Sequence, residues 1–347
     1  MNGMDRRDFI KTVAIGGAVL GLGRTVVQPA MAAEKSGRYD LGQCKSVKIT
    51  CVSELGWFDS GKLIGQIKAA GGPDTNQWVI PWDPANAAGS CSLVEIEALD
   101  GTRRKFLLDT GWDTAYMEKC FQREGIDKML QSGEIEFLFI SHEHLDHLWG
   151  LEAVLKYNPD IKILIPSTFY SEGMHFIRGA EFMTPHARNG IPHTGELAQV
   201  EPGTISRLYD GCAVAAFDLP ILLNVRGESS LYFNVKDKGI VCVAGCCHQS
   251  ILTLADFAKE RIVGGEKMHG VYGGLHIAPF GPMNPDREHI VKGMAQYGFD
   301  RIACNHCTGL VAVQRMIDLG YPVVKGSGRN GSQSDLYVGN GDAVVFG

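Results

Sequence analysis

The segment Ser141-His142-Glu143-His144-Leu145-Asp146-His147 gathers three imidazoles and two carboxylates on one short stretch, directly after the apolar run Ile135-Glu136-Phe137-Leu138-Phe139-Ile140. Both groups are ligands for divalent cations. His142 and His144 can converge on one ion only where the chain is extended or turning, because in a helix residues two apart point about 200° apart. Asp146 and His147 open the next stretch, 148–155, whose apolar residues recur at three- and four-residue steps and predict a helix. The expected geometry is a strand-to-helix turn whose two ligand pairs face two neighbouring ions.

Other elements must bring the remaining ligands. Residues 238–245 read as a buried strand of small and β-branched side chains, with Cys246-Cys247-His248 at its end. The theme of apolar strand, glycines and histidine returns in His269-Gly270-Val271-Tyr272-Gly273-Gly274-Leu275-His276. It returns again in Arg301-Ile302-Ala303-Cys304-Asn305-His306-Cys307-Thr308-Gly309, ahead of a helix-like stretch over 310–319. Three strands would each deliver a histidine to one sheet rim, with glycines letting backbone approach the ions.

These residues resemble the metallo-β-lactamase superfamily, whose signature His-x-His-x-Asp-His is met by His142, His144, Asp146 and His147. Phe106-Leu107-Leu108-Asp109-Thr110-Gly111 is similar to the superfamily's strand ending in Asp-Thr-Gly, where the Asp supports the histidine loop without binding metal. The order Gly-Cys-x-His, Gly-Gly-x-His, His-Cys-Thr-Gly resembles a branch of dihydropterin-type phosphate synthases and related hydrolases, over about residues 47–320. The implied fold is α/β, a four-layer αββα sandwich with metals at one rim. One departure stands out. The bridging Asp of better-known branches is missing after Gly245, so Cys246 or His248 takes its place or the second metal is held differently.

The resemblance implies two divalent ions, zinc being best suited to the imidazoles and iron or manganese accepting similar ligands. His142, His144 and His248 would hold the first; Asp146, His147 and His306 or His276 the second. Cys246 is a further candidate ligand. Such a site lowers the pKa of bound water to about 7 and generates a hydroxide nucleophile, with Asp146 in the catalytic role of orienting it. The expected activity is metal-dependent hydrolysis of a small-molecule ester, phosphorylated or cyclic by the branch resemblance. Two alternatives stay open: an iron-dependent redox protein, and a metal-binding or sensing protein whose cysteines, Cys246 and Cys304, close a four-ligand site.

Asp5-Arg6-Arg7-Asp8-Phe9-Ile10-Lys11 resembles the twin-arginine export motif. An uncharged stretch too short to span a bilayer follows, and then Ala30-Met31-Ala32 as a cleavage site. Residues 1–32 are therefore expected to be a signal peptide engaging the twin-arginine machinery and directing the protein to the periplasm. Residues 33–347 are expected to form a single domain, with insertions near 57–84 and 169–203. The chain has 347 residues, 45% hydrophobic, and a formal net charge of −6. Removing four bases and two acids with the signal leaves −8, and no basic stripe invites nucleic acid.

The ten cysteines are too scattered for a disulfide framework, and most are expected to be buried thiols. The insertion at 169–203 carries His175, His186, His193, Phe169, Tyr170, Phe176 and Phe182, and would either cap the site or form a surface loop. Trp57, Trp78 and Trp82 would wall the pocket or pack. Arg178, Arg188 and Arg226 are the cations available for a phosphate.

Overall fold

The computed structural model describes residues 34–35, 37–179, 187 and 189–347. The predicted signal peptide, Phe182, His186 and Arg188 lie outside them. No helix among the described residues is long and apolar enough to cross a membrane.

Among the described residues, apart from a short hairpin of Glu34–Lys35 and Arg38–Tyr39, thirteen strands share one hydrogen-bonded path. They are β1 (Cys44–Ser53), β2 (Cys91–Ala98), β3 (Arg103–Leu108), β4 (Phe137–Phe139), β5 (Lys162–Pro166), β6 (Leu197–Val200), β7 (Ile205–Tyr209), β8 (Cys212–Ile221), β9 (Val225–Val235), β10 (Gly239–Ala244), β11 (Met268–Gly274), β12 (Arg301–Asn305) and β13 (Ala343–Phe346). The path forms two mixed layers. One runs β13-β1-β2-β3-β4-β5-β6, the other β7-β8-β9-β10-β11-β12, and one parallel pair, Val235↔Cys44, registers β9 against β1 between them.

Alternation along the strands explains the layering. Phe106, Leu108, Phe137 and Phe139 point into a central core with Leu231, Phe233, Val241 and Val243 from the other layer, and Phe106 stacks on Phe137 at 4.4 Å. The intervening Leu107 and Leu138 face an outer core against helix Thr114–Glu124. Tyr232, Ile240 and Cys242 face a second outer core against helices Ile251–Arg261 and Leu310–Asp318. Three cores separated by two sheet layers make the expected αββα sandwich.

β3 and β4 are parallel, as are β10, β11 and β12. The carboxyl ends of each parallel group share a rim, the place where α/β sheets bind ligands.

One local expectation is corrected, and several alternatives that the sequence left open are resolved. The predicted helix over 148–155 starts earlier and is interrupted: Leu145–Leu148 is α, Trp149–Leu151 is 3-10, and Glu152–Leu155 is α again. The tightened turn brings Gly150 against the 110–111 backbone, where an added Cβ would stand 2.2 Å from the Thr110 carbonyl oxygen. The 169–203 segment contains helix Ser171–Ile177 as well as β6, and Phe169 and Phe176 are core residues. His193 is buried and donates from Nε2 to the Ile161 carbonyl at 2.6 Å, so it braces the segment. His175 is exposed. Trp78 and Trp82 are core packing. Arg178 donates to the His193 carbonyl and Arg226 makes a two-pronged surface pair with Asp218. All ten cysteines are buried free thiols.

Candidate metal centre

Asp109 ends β3 with φ 63°, a backbone conformation that places its carboxylate beneath the histidine loop. It accepts from Ser141 N (2.7 Å), Ser141 Oγ (2.9 Å) and His147 Nδ1 (2.7 Å). Gly245 permits this crossing: an added Cβ there would meet Ser141 Oγ at 2.2 Å and Asp109 Oδ2 at 2.7 Å. That glycine therefore makes room for supporting side chains, where the sequence suggested access to ions. Cys247, His276 and His306 also hold positive φ, a strained conformation typical of functional sites.

Each of five histidines has one ring nitrogen committed as a donor. His142 Nδ1 faces Ser141 Oγ at 2.9 Å, and that hydroxyl donates to Asp109. His144 Nε2 donates to the Leu222 carbonyl (2.9 Å), His248 Nδ1 to Glu228 (2.8 Å), and His306 Nδ1 to the Glu54 carbonyl (2.9 Å). With His147 tied to Asp109, the opposite nitrogens converge. This is the outer support that fixes the tautomer of metal-binding histidines.

The inward atoms fall into compact groups: His142, His144 and His248; Asp146, His147 and His306; Cys246, His276 and Cys307. His147 also groups with His142 and Cys246. His142 Nε2 and His144 Nδ1 stand 2.9 Å apart, both as acceptors once their far nitrogens carry the protons. Burial, with the neighbouring imidazoles, pulls His142 and His248 well below the usual histidine range. Burial and His248 take His144 to about 3. Neutral imidazoles with converging lone pairs are the state a cation requires. His248 Nε2 and His306 Nε2 are buried with no hydrogen-bond partner. The residues present therefore fit divalent metal.

Asp146 Oδ2 lies 3.4 Å from His306 Nε2 and 3.8 Å from His147 Nε2. Burial alone would raise its carboxyl, yet His147 and His306 hold it well below the usual carboxylate range. Against the same burial, Cys307 and Asp146 push His306 up to about 10. Gly56 abuts this group, and an added Cβ would stand 2.5 Å from Asp146 Oδ2 and 2.9 Å from His306 Cε1. Gly56→Ala should thus displace both side chains and weaken metal retention about 10- to 100-fold, read by competition with a chromogenic chelator.

Glu143, between the first two histidines, points away from them. It accepts from Trp78 Nε1 (3.2 Å) and Tyr170 N (2.8 Å), tying both insertions to the loop. Burial pushes its carboxyl up to about 8. The folded chain keeps this proton while the unfolded chain releases it near 4.5, so its contribution to stability falls as pH rises from 4.5 through 8. Glu143→Gln should flatten that slope in urea titrations between pH 5 and 9.

The pocket over the rim is lined by Trp57, Leu222, Phe280 and the inward faces of His144, Asp146 and His306 among others. Of the three insertion tryptophans only Trp57 reaches it. His276 joins Cys246 and Cys307, and His306 takes the place beside Asp146 that the sequence left open between the two. Cys304 belongs to the outer core, so the cysteine beside the centre is Cys307.

Glu228 was missing from the sequence-based ligand shell. It is fully buried and accepts from the backbone N–H groups of Cys246, Cys247 and His248 as well as His248 Nδ1. Arg226-Gly227-Glu228-Ser229 reads as a strand entry, which it is, and gave no sign of this. Buried Glu54, whose carbonyl holds His306, accepts from Gln333 N and Tyr337 Oη.

Residues 86–210 match the family model of the metallo-beta-lactamase superfamily. A curated relative, 7,8-dihydropterin-6-methyl-4-(beta-D-ribofuranosyl)-aminobenzene-5'-phosphate synthase of Methanocaldococcus jannaschii, is 25% identical over 255 residues, covering 65% of this chain and 82% of the relative. Solved structures with similar folds include unliganded yeast PDE1 (11% identity, TM-score 0.46, 79% of this chain and 93% of that one). An N-acyl homoserine lactone hydrolase is another (15% identity, TM-score 0.35, 58% and 76%).

Proposed function

We propose that this chain, with its metallo-beta-lactamase superfamily domain, is a metal-dependent hydrolase that uses two divalent ions to cleave an ester in a small molecule. The observation that carries the reading is the set of five buried histidines whose outer nitrogens are all engaged and whose inner nitrogens converge. When bound, divalent ions supply Lewis acidity and a water-derived nucleophile at neutral pH.

The chain's own residues do the rest. His142, His144 and His248 would hold one ion, and Asp146, His147 and His306 the other. Asp146 stays anionic and turns one oxygen toward His306, so it can orient the nucleophile. Asp109 and Glu228 keep the imidazoles from rotating. Trp57, Leu222 and Phe280 exclude water from the pocket and receive the apolar part of the substrate.

Among the described residues, no Lys or Arg lines this pocket. That favours a substrate whose negative charge, if any, sits on the reacting ester itself, as in a phosphodiester or cyclic ester. The pterin-phosphate name of the distant relative is compatible with such a substrate class. The first test is plasma mass spectrometry for metal, coupled to hydrolysis of bis(p-nitrophenyl) phosphate and of lactones. At least about two ions per chain are expected, with turnover lost on chelation and restored by zinc or manganese. Turnover that survives complete metal removal would sink the proposal.

We further propose periplasmic export by the twin-arginine route, supported by Arg6 and Arg7 ahead of the uncharged stretch. Cell fractionation of the Arg6→Lys, Arg7→Lys double variant should find the precursor retained in the cytoplasm.

A further inference from the structure

Once the two proposed ions have taken their ligands, Cys246, His276 and Cys307 remain as a third compact group that shares no member with either set. We propose that they form a third metal site, selective for a thiophilic cation such as zinc.

Cys246 and Cys307 stand with their sulfurs 3.3 Å apart, each only 3% exposed. They come from two different strand ends, after β10 and after β12, so no local turn accounts for the approach. Gly274, at the end of the intervening β11, makes it possible. A Cβ there would meet Cys307 Sγ at 2.7 Å and the Cys246 Cα at 3.3 Å. His276 follows two residues later with φ 43°, and its Nδ1 is buried without a hydrogen-bond partner. Its ring lies 4.4 Å from that of His248. Two sulfurs and an imidazole suit zinc and other soft cations better than manganese or magnesium. On loading, each thiol releases its proton to water and binds as thiolate.

A third cation beside the other two would raise the positive charge at the rim, and it would hold the ends of β10, β11 and β12 together. The site stands whether or not the centre hydrolyses esters, because its signature is metal stoichiometry and sulfur ligation.

The test is titration of the metal-free full-length chain with cobalt(II), followed by thiolate-to-cobalt charge-transfer absorption and by metal count. Wild type should bind about three equivalents, with the charge-transfer band growing alongside one of them. Cys307→Ser should bind one fewer and lose most of the band. Cys304→Ser, which alters a core thiol, should match wild type. As a check independent of any variant, zinc should protect Cys246 and Cys307 of wild type from iodoacetamide, read by peptide mass spectrometry. Two equivalents with both thiols still alkylated would overturn the third site and leave the dinuclear reading standing. An undiminished band in Cys307→Ser would also overturn it, placing Cys246 on the second ion. Binding of no cobalt at all would overturn both readings.

Discussion

Asp146→Ala should lower hydrolysis of an activated phosphodiester by about a thousandfold or more. Asp146 is the only carboxylate in either three-residue set proposed for the two ions, and it faces His306 at 3.4 Å and His147 at 3.8 Å. Its removal takes away a metal ligand and the group that orients the nucleophile. Asp146→Asn separates these effects, since the amide keeps an oxygen donor but not the charge. The expected order of kcat is wild type far above Asn, with Ala lowest, and metal content should fall more steeply in Ala than in Asn. Wild-type turnover in Asp146→Ala at full metal loading would remove Asp146 from the chemistry.

The second large effect concerns folding. Glu228→Ala should destabilise the metal-free protein by about 4 kcal/mol or more, since each buried donor left without a partner costs roughly 1–3 kcal/mol. Here three backbone N–H groups and His248 Nδ1 lose their acceptor together. His248 would be free to rotate, so the first ion should be lost at the same time. Glu228→Gln keeps the volume and one acceptor oxygen and should recover a good part of the stability. Urea denaturation with metal counting distinguishes the cases. A stable Glu228→Ala variant with wild-type metal content would show that the turn at 246–248 holds itself.

The sequence made one part of the centre legible and hid another, for reasons of distance along the chain. The loop at 142–147 announces itself because its ligands are neighbours and their spacing fits only a turn. His248, His276 and His306 were visible as a repeated strand-glycine-histidine ending, and parallel pairing of β10, β11 and β12 does bring those endings to one rim. Which histidine belongs with Asp146 was not readable, because it depends on the order of the strands across the sheet. The same holds for the cysteines. Cys304 lies within β12, where alternation turns it to the outer core, whereas Cys307 lies past the strand end in a 3-10 turn. Glu228 and Glu54 act through backbone groups of distant residues, so no local pattern marks them. The insertions left two readings open for a different reason. Aromatic and histidine side chains in a Gly- and Pro-rich stretch look like a lid, but Phe169, Phe176, Trp78 and His193 are spent on anchoring these segments to the body of the fold.

The lone registered pair Val235↔Cys44 between β9 and β1 bears on how the molecule responds to depletion of metal. Backbone bonds between the layers are few, among them Lys236 N to the Cys44 carbonyl and Ser229 N to the Ser141 carbonyl, so the apolar interior and the rim carry much of what unites them. Asp109, His142, His144, Asp146 and His147 belong to one layer, and Glu228, Cys246, His248, His276 and His306 to the other. Filling the rim therefore ties two subglobal units into one, since ligand binding to the folded form alone stabilises whatever opening would break the site. Amide hydrogen exchange should register this as a change of mechanism: independent opening of each layer without metal, and concerted opening of both with it.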